Sequence, residues 1–142
     1  MKIKLLSLGK IKEKAYKNKI DEYIKWIKKD LKFEHIIFKE KKVRDLDFSL
    51  NPYYSSSIFC SLIEDGQKMN SYEFSNFIFQ STYPIVFFIS GPNGCPKQIK
   101  NNSDHLISLS NMTFPHELAI LIFIEQVYRA ISIHKKSKYH RG

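Results

Sequence analysis

The sequence predicts an α/β fold: a single domain built on a mainly parallel sheet. Three observations carry this. Short apolar strands alternate with segments of helical periodicity along the chain, the pattern that parallel sheets with crossover helices produce. The run Ile85-Val86-Phe87-Phe88-Ile89 is unbroken in its apolarity, as in a strand buried on both faces. The 142 residues contain no internal repeat and no low-complexity linker, so one core accounts for the length.

Ile3 to Leu8 alternates like a strand, and Gly9 ends it. Lys12 to Lys29 is helical: Tyr16, Ile20, Tyr23, Ile24, Ile27 and Leu31 recur at helical spacing, with lysines between them. Trp26 lies off the centre of that stripe, which places it at an edge or interface. Phe33 to Phe38 is a second strand. Glu40 to Tyr54 is charged and then carries Asn51-Pro52, the composition of a loop or a short irregular element. Ser57 to Leu62 is a third strand, closed by the polar turn Glu64-Asp65-Gly66-Gln67. Ser71 is placed to cap a helix from Tyr72 to about Gln80, with Glu73 favoured in its first turn. Ile85 to Ile89 is the fourth strand and Leu106 to Leu109 a short fifth. Pro115 suits the first turn of a last helix that runs to about Ile133.

Charge narrows the partners. Lys and Arg exceed Asp and Glu by 23 − 14 = 9, which favours a polyanion, nucleic acid ahead of a membrane surface. A solvated lysine-rich face would show the same excess. Cys60 and Cys95 stand far apart, with no CxxC and no Cys/His cluster at zinc spacing, so no metal is expected. The first residues lack the pattern of a secretory signal. The apolar stretch Leu118 to Ile124 is too short to span a bilayer. The expectation is a cytoplasmic protein with no membrane partner.

In an open parallel sheet, ligands bind beyond the carboxyl ends of the strands. Three loops lie there, after Leu62, after Ile89 and after Leu109. Gly91 and Gly94 in the second let the backbone approach a ligand closely; a plain turn would look the same. The third, Leu109-Ser110-Asn111-Met112-Thr113-Phe114, offers backbone amides and small hydroxyls beside apolar side chains. Such a wall suits a flat neutral heterocycle such as adenine, or merely caps the next helix. Glu117 is favoured at a helix N-terminus by the dipole alone. Glu125 and Arg129 are an i,i+4 pair, structural or interfacial. His35 and His105 read as ordinary strand residues. The tail His134 to Arg141 combines cations for phosphate, an aromatic ring for a base and an imidazole. A frayed basic terminus has the same composition.

The runs SGPNG, SLSNMTFPHELA, EQVYRA and YHR, with LLSLGKIKEKAY near the start, resemble the ribosomal RNA large subunit methyltransferase H family. These are small SPOUT-class enzymes that methylate N3 of a pseudouridine in helix 69 of 23S rRNA. The resemblance covers nearly the whole chain. It implies one SPOUT domain over residues 1–142, a C-terminal trefoil knot as an exception to the un-knotted rule, a homodimer, and S-adenosylmethionine (SAM) as methyl donor. It also implies cofactor contacts at Leu62, at the pair Ser90 and Gly91, and at Leu109, Ser110, Asn111, Met112, Thr113 and Phe114, which are the three strand-end loops. Catalytic roles fall on Tyr139, His140 and Arg141, a tail expected to become ordered only beside substrate or a partner subunit, whose cofactor pocket it would complete.

The pattern is broken in three places. Ser90 stands where the family has the first glycine of the pair. Lys136 stands where it has a glycine before Tyr-His. The stretch between the second and third strands is shorter than the family's, with room for a loop in place of a helix. Two other readings therefore stand beside the first: a catalytically silent RNA-binding dimer, and a SPOUT methyltransferase acting on another RNA.

Overall fold

The computed structural model describes residues 1–141. Strands β1 (Lys2–Leu8), β2 (Lys32–Phe38), β3 (Ile58–Lys68), β4 (Ile85–Ile89) and β5 (His105–Ser108) form one sheet in the order β2-β1-β4-β3-β5. Every neighbouring pair is parallel. Helices α1 (Lys14–Ile27), α2 (Val43–Ser56), α3 (Ser71–Phe79), α4 (Lys97–Asn101) and α5 (His116–His134) connect and follow the strands. The α/β class and the parallel sheet agree with the sequence reading.

The helices divide between the two faces. Ile3, Leu5 and Phe87 meet Ile20, Tyr23 and Ile27 of α1, Phe74 and Ile78 of α3, and the apolar side of α5 around Phe123 and Val127. Leu6, Leu8, Phe59 and Phe88 meet Leu46 and Leu50 of α2 and Ile99 of α4. Every residue of β4 is buried, which is why its sequence does not alternate. Trp26 is half-buried and packs on Tyr23 and Tyr128, each with ring centroids 5.3 Å away.

The largest departure from the sequence reading is α2. Residues Val43–Ser56 are helical, where charge and Asn51-Pro52 suggested a loop and the shortened segment suggested a lost helix. Leu46 and Leu50, four residues apart and buried, anchor it. Pro52 removes one hydrogen bond, to the carbonyl of Phe48, but both residues are exposed, so water can satisfy that carbonyl. The short helix α4 was not anticipated either.

The second departure is β3, which does not end at Leu62. It continues to Lys68 through the segment read as a turn. Leu62 and Gln67 both stand opposite Ile107, so residues 63–66 bulge out of the ladder. Gly66 is obligatory there: an added Cβ would sit 2.7 Å from the backbone carbonyl carbon of Leu106.

Helix ends differ in detail. The cap of α3 is Asn70, not Ser71. Asn70 Oδ1 accepts from the Glu73 amide at 2.8 Å, and Glu73 Oε1 accepts from the Asn70 amide at 2.8 Å, a reciprocal capping box. Ser71 Oγ instead donates to Gln126 of α5. Pro115 is the residue before α5, and the helix runs one residue beyond Ile133.

Candidate active site

The bulge of β3 and the carboxyl ends of β4 and β5 border a cavity of about 560 Å³, in the size range of small-molecule sites. Leu62, Ser90, Gly91, Leu109, Ser110, Met112, Thr113 and Phe114 all line it. The three loops therefore converge on one pocket. Asn111 is the exception. Its side chain lies outside the lining; with its carboxamide oriented to suit both neighbours, it donates to the Glu64 carbonyl at 3.2 Å and accepts from Lys68 at 2.7 Å.

The pocket also contains residues that motif reasoning passed over. Ile63, Glu64 and Asp65 of the β3 bulge form part of the wall. Glu64 ties that bulge to the loop after β5. Its carboxylate accepts from Thr113 Oγ1 at 2.9 Å, and its carbonyl accepts from Ser108 Oγ at 2.8 Å. An isolated glycine inside a strand-like run marks such a bulge, and Gly66 was that signal. Within the loop, Ser110 Oγ accepts from the Met112 amide at 3.0 Å. The turn Gly91-Pro92-Asn93-Gly94 closes through the Gly94 amide on the Gly91 carbonyl at 3.1 Å. Gly94 has φ 81°, a conformation glycine adopts without strain.

The amino end of α5 completes the site. His116 lines the pocket, and its Nε2 donates to the Leu8 carbonyl at 2.7 Å. That bond fixes a proton on Nε2. Glu117 Oε1 accepts from the backbone amides of Lys12 and Glu13 at 2.8 and 3.0 Å. It thus binds the start of α1 to the start of α5, a structural role beyond the helix dipole. Cys95 also lines the pocket. Burial pushes its thiol above the usual range, which keeps it protonated and unreactive.

The tail lies elsewhere. Arg129 Nε donates to Glu125 Oε1 at 2.8 Å, and its NH1 donates to His140 Nδ1 at 3.0 Å. The guanidinium sits 4.9 Å from the Tyr139 ring centroid. Tyr139 and Tyr23 share a hydroxyl–hydroxyl bond of 3.0 Å, and the Tyr72 ring meets His140 edge-on. Tyr139 and His140 are therefore packed on helices of the same chain, where the sequence reading expected order only beside substrate or a partner subunit. Arg141 is exposed. Arg129 is 13 residues beyond His116, about 20 Å along the helix, so the tail does not line its own chain's pocket.

Two features of the tail bear on its chemistry. Burial and the bond to Tyr23 raise the Tyr139 hydroxyl well above its ordinary value, so it stays protonated and does not serve as a base near neutrality. A guanidinium only donates, so His140 Nδ1 accepts and the ring proton sits on Nε2. That Nε2 is buried with no hydrogen-bond partner among the described residues, a costly state for a donor.

A family profile described as a predicted SPOUT methyltransferase matches residues 1–140. The chain belongs to the SPOUT methyltransferase family. A relative named ribosomal RNA large subunit methyltransferase H, from Prochlorococcus marinus subsp. pastoris, is 38% identical over 142 residues, covering 99% of this chain and 96% of its own. One of the same name from Dictyoglomus thermophilum is 32% identical over 152 residues, covering 99% of each. Among solved structures, a probable methylase family protein from Haemophilus influenzae superposes with a TM-score of 0.62 at 7% identity, over 99% of this chain and 70% of that one. The SpoU methyltransferase AviRb from Streptomyces viridochromogenes, solved with its cofactor AdoMet, gives 0.53 at 10% identity, over 96% of this chain and 59% of that one. At such identities these two speak for the fold alone. This SPOUT enzyme is a methyltransferase, and its strand-end pocket is where the parallel sheet directs a ligand. Among the described residues no cluster of His, Cys, Asp and Glu is arranged to hold a metal, and no helix is long and apolar enough to cross a membrane.

Proposed function

We propose that this chain is a SAM-dependent methyltransferase acting on N3 of a pseudouridine in helix 69 of 23S rRNA, and that it works as a homodimer in the cytoplasm. The observation that carries the reading is the near-full-length identity to relatives named ribosomal RNA large subunit methyltransferase H. The net charge of +9 suits an RNA substrate, and the same reading carries the C-terminal trefoil knot.

The pocket residues fit the cofactor. Leu62, Leu109 and Phe114 offer apolar surface, and the glycine turn together with the Ser110 to Thr113 backbone offers close polar groups. Bound SAM supplies a methyl group on an already activated sulfonium. The protein's own task is then to hold donor and acceptor in line. The N3 proton passes to water as the new N–CH₃ bond forms, since His140 keeps its own proton on Nε2 and its Nδ1 accepts from Arg129. Tyr139, held protonated, orients. His140, fixed by Arg129, presents an Nε2 that needs a partner, and Arg141 is free to contact phosphate.

The tail's distance from its own pocket makes a composite site reasonable, with each tail serving the other subunit. Leu118, Ile122, Glu125, Arg129 and Ile133 form a half-buried stripe along α5 that a second copy would cover, in a two-fold interface.

The test is mass mapping of helix 69 in a strain lacking the gene, with the gene restored in parallel. Loss of one methyl group at the pseudouridine, regained on complementation, is the expected result. An unchanged methylation pattern, with SAM still bound in calorimetry, would place the activity on another RNA. Absence of SAM binding would leave a silent RNA-binding protein. A monomer in light scattering at micromolar concentration would reject the composite site.

A further inference from the structure

The connection between β1 and α1 separates two cavities. On one side, Leu8 receives His116, which lines the strand-end pocket. On the other, Lys10 and Ile11 line a second cavity of about 470 Å³ between α1 and the edge strand β2. Ile20, fully buried, closes its floor, and Ile11, Ile24 and Ile37 supply apolar walls. His35 is the polar ring within it, its Nε2 at 2.8 Å from Ser7 Oγ. Burial lowers the His35 pKa to about 4, so near neutrality it is an uncharged planar ring that can stack or hydrogen-bond.

The rim is cationic. Lys10, Lys17 and Lys28 face Asp21 and Glu34. Lys17 is paired with Asp21 at 3.3 Å, and Glu34 lies 3.9 Å from Lys4. Lys10 and Lys28 have no ion pair among the described residues. An apolar slot beside a neutral imidazole, with one uncompensated cation before the start of α1 and another at its end, matches an unpaired strand: a flat base between apolar side chains and phosphates toward either end.

We propose that the groove between α1 and β2 is a nucleotide subsite for the RNA substrate, taking one unpaired nucleotide that flanks the methylated base. The base lies against Ile24, Ile37 and His35, and phosphates of the strand on its two sides meet Lys10 at one end of α1 and Lys28 at the other. The inference rests on the rRNA reading above. It adds a second contact across the β1–α1 connection from the cofactor pocket.

The experiment measures binding of the full chain to purified ribosomes across a salt series, with SAM affinity by calorimetry alongside. In the double variant Lys10→Ala, Lys28→Ala, the slope of log affinity against log salt falls by about 1.4, the value for two phosphate contacts on a single strand. Ile24→Trp fills the slot and weakens ribosome binding about tenfold, with the slope unchanged because no charge is lost. Neither change alters SAM affinity. Wild-type ribosome affinity and slope in both variants would overturn the subsite while leaving the proposed activity intact. A changed oligomeric state in Ile24→Trp, with ribosome affinity retained, would show that a second copy occupies the groove, and would equally overturn it. If the wild-type chain binds no ribosomes, the rRNA reading itself fails and the subsite with it.

Discussion

Arg129 joins Glu125 to His140: one guanidinium donates to the carboxylate at 2.8 Å and to the imidazole Nδ1 at 3.0 Å. Glu125, read from the sequence as structural or interfacial, thus fixes the group that fixes the histidine. Arg129→Ala is expected to lower methyl transfer on ribosomes by about 10- to 100-fold, as for losing a charge-assisted hydrogen bond that holds the His140 ring, about 1.5–3 kcal/mol. SAM affinity, measured by calorimetry, stays near wild type. Arg129→Lys recovers only part of the loss, because an ammonium cannot fork between the two partners. Equal losses in SAM affinity and turnover would show that this cluster serves the cofactor and not the acceptor.

Gly91 separates fold from binding. A Cβ placed there meets only ordinary contacts, Glu40 Oε1 at 3.5 Å and Leu8 Cδ1 at 3.7 Å. Gly91→Val therefore folds, but its γ-methyls crowd the cavity that Gly91 lines. SAM binding should weaken by at least about tenfold, roughly 1.4 kcal/mol, with little change in the urea midpoint. Wild-type affinity in this variant would move the cofactor site elsewhere.

Gly66 behaves in the opposite way. The clash of its would-be Cβ is with the backbone of Leu106 and Ile107, which cannot rotate aside. Gly66→Ala should cost about 1–3 kcal/mol, the usual penalty for overpacking, read from urea unfolding. Because the bulge carries Glu64, the bond to Thr113 should loosen and cofactor affinity fall too. A wild-type midpoint would mean that β3 and β5 separate freely here.

The end of α5 stores a small strain. The Ser137 amide bonds the Ser132 carbonyl at 2.9 Å and the Lys136 amide bonds the Ile133 carbonyl at 3.1 Å, the paired bonds of a Schellman cap. Lys136 occupies its left-handed position with φ 58°, where glycine is favoured. The bend for which the resemblance implied a glycine is thus made by lysine. Lys136→Gly should stabilise the fold by about 0.5–1 kcal/mol: a left-handed side-chain residue costs about 1–2 kcal/mol, and glycine's unfolded-state entropy returns part of that. Calorimetry should show the melting temperature rising by about 2–4 °C. A lower melting temperature would mean that the lysine side chain contributes more than its backbone costs.

Much of this was legible in the sequence because it rests on local rules. Alternation found β1, and unbroken apolarity found β4. The loop argument brought Leu62, Gly91 and, apart from Asn111, Leu109 to Phe114 to one pocket, although β3 does not end at Leu62. What escaped depended on contacts between distant segments. Nothing local says that Leu46 and Leu50 have a sheet face to cover, so charge and Pro52 outweighed them. The polar run at Glu64 looks like a turn until Ile107 is available to pair with both Leu62 and Gln67. The packing of Tyr139 on Tyr23, 116 residues earlier, has no local signature either.

His35 gives the last prediction. Its folded pKa is about 4 against an ordinary 6.5; burial is the main cause, opposed by the Asp21 charge and reinforced slightly by His116. The unfolded chain therefore takes up this proton first as pH falls. Stability from the buried neutral ring is complete above about pH 6.5 and declines toward pH 4, by up to about 3 kcal/mol over the window. Below that window both states are protonated and the loss stops growing. His35→Gln retains a hydrogen-bonding partner for Ser7 but does not titrate. Carboxylates contribute equally to both proteins, so the difference between their pH–stability curves isolates the imidazole. Urea unfolding at about pH 7 and about pH 4.5 should show the wild type losing more stability than the variant. Parallel curves would mean that His35 is protonated in the folded protein as readily as in water, and that the groove it lines is wetter than its burial implies.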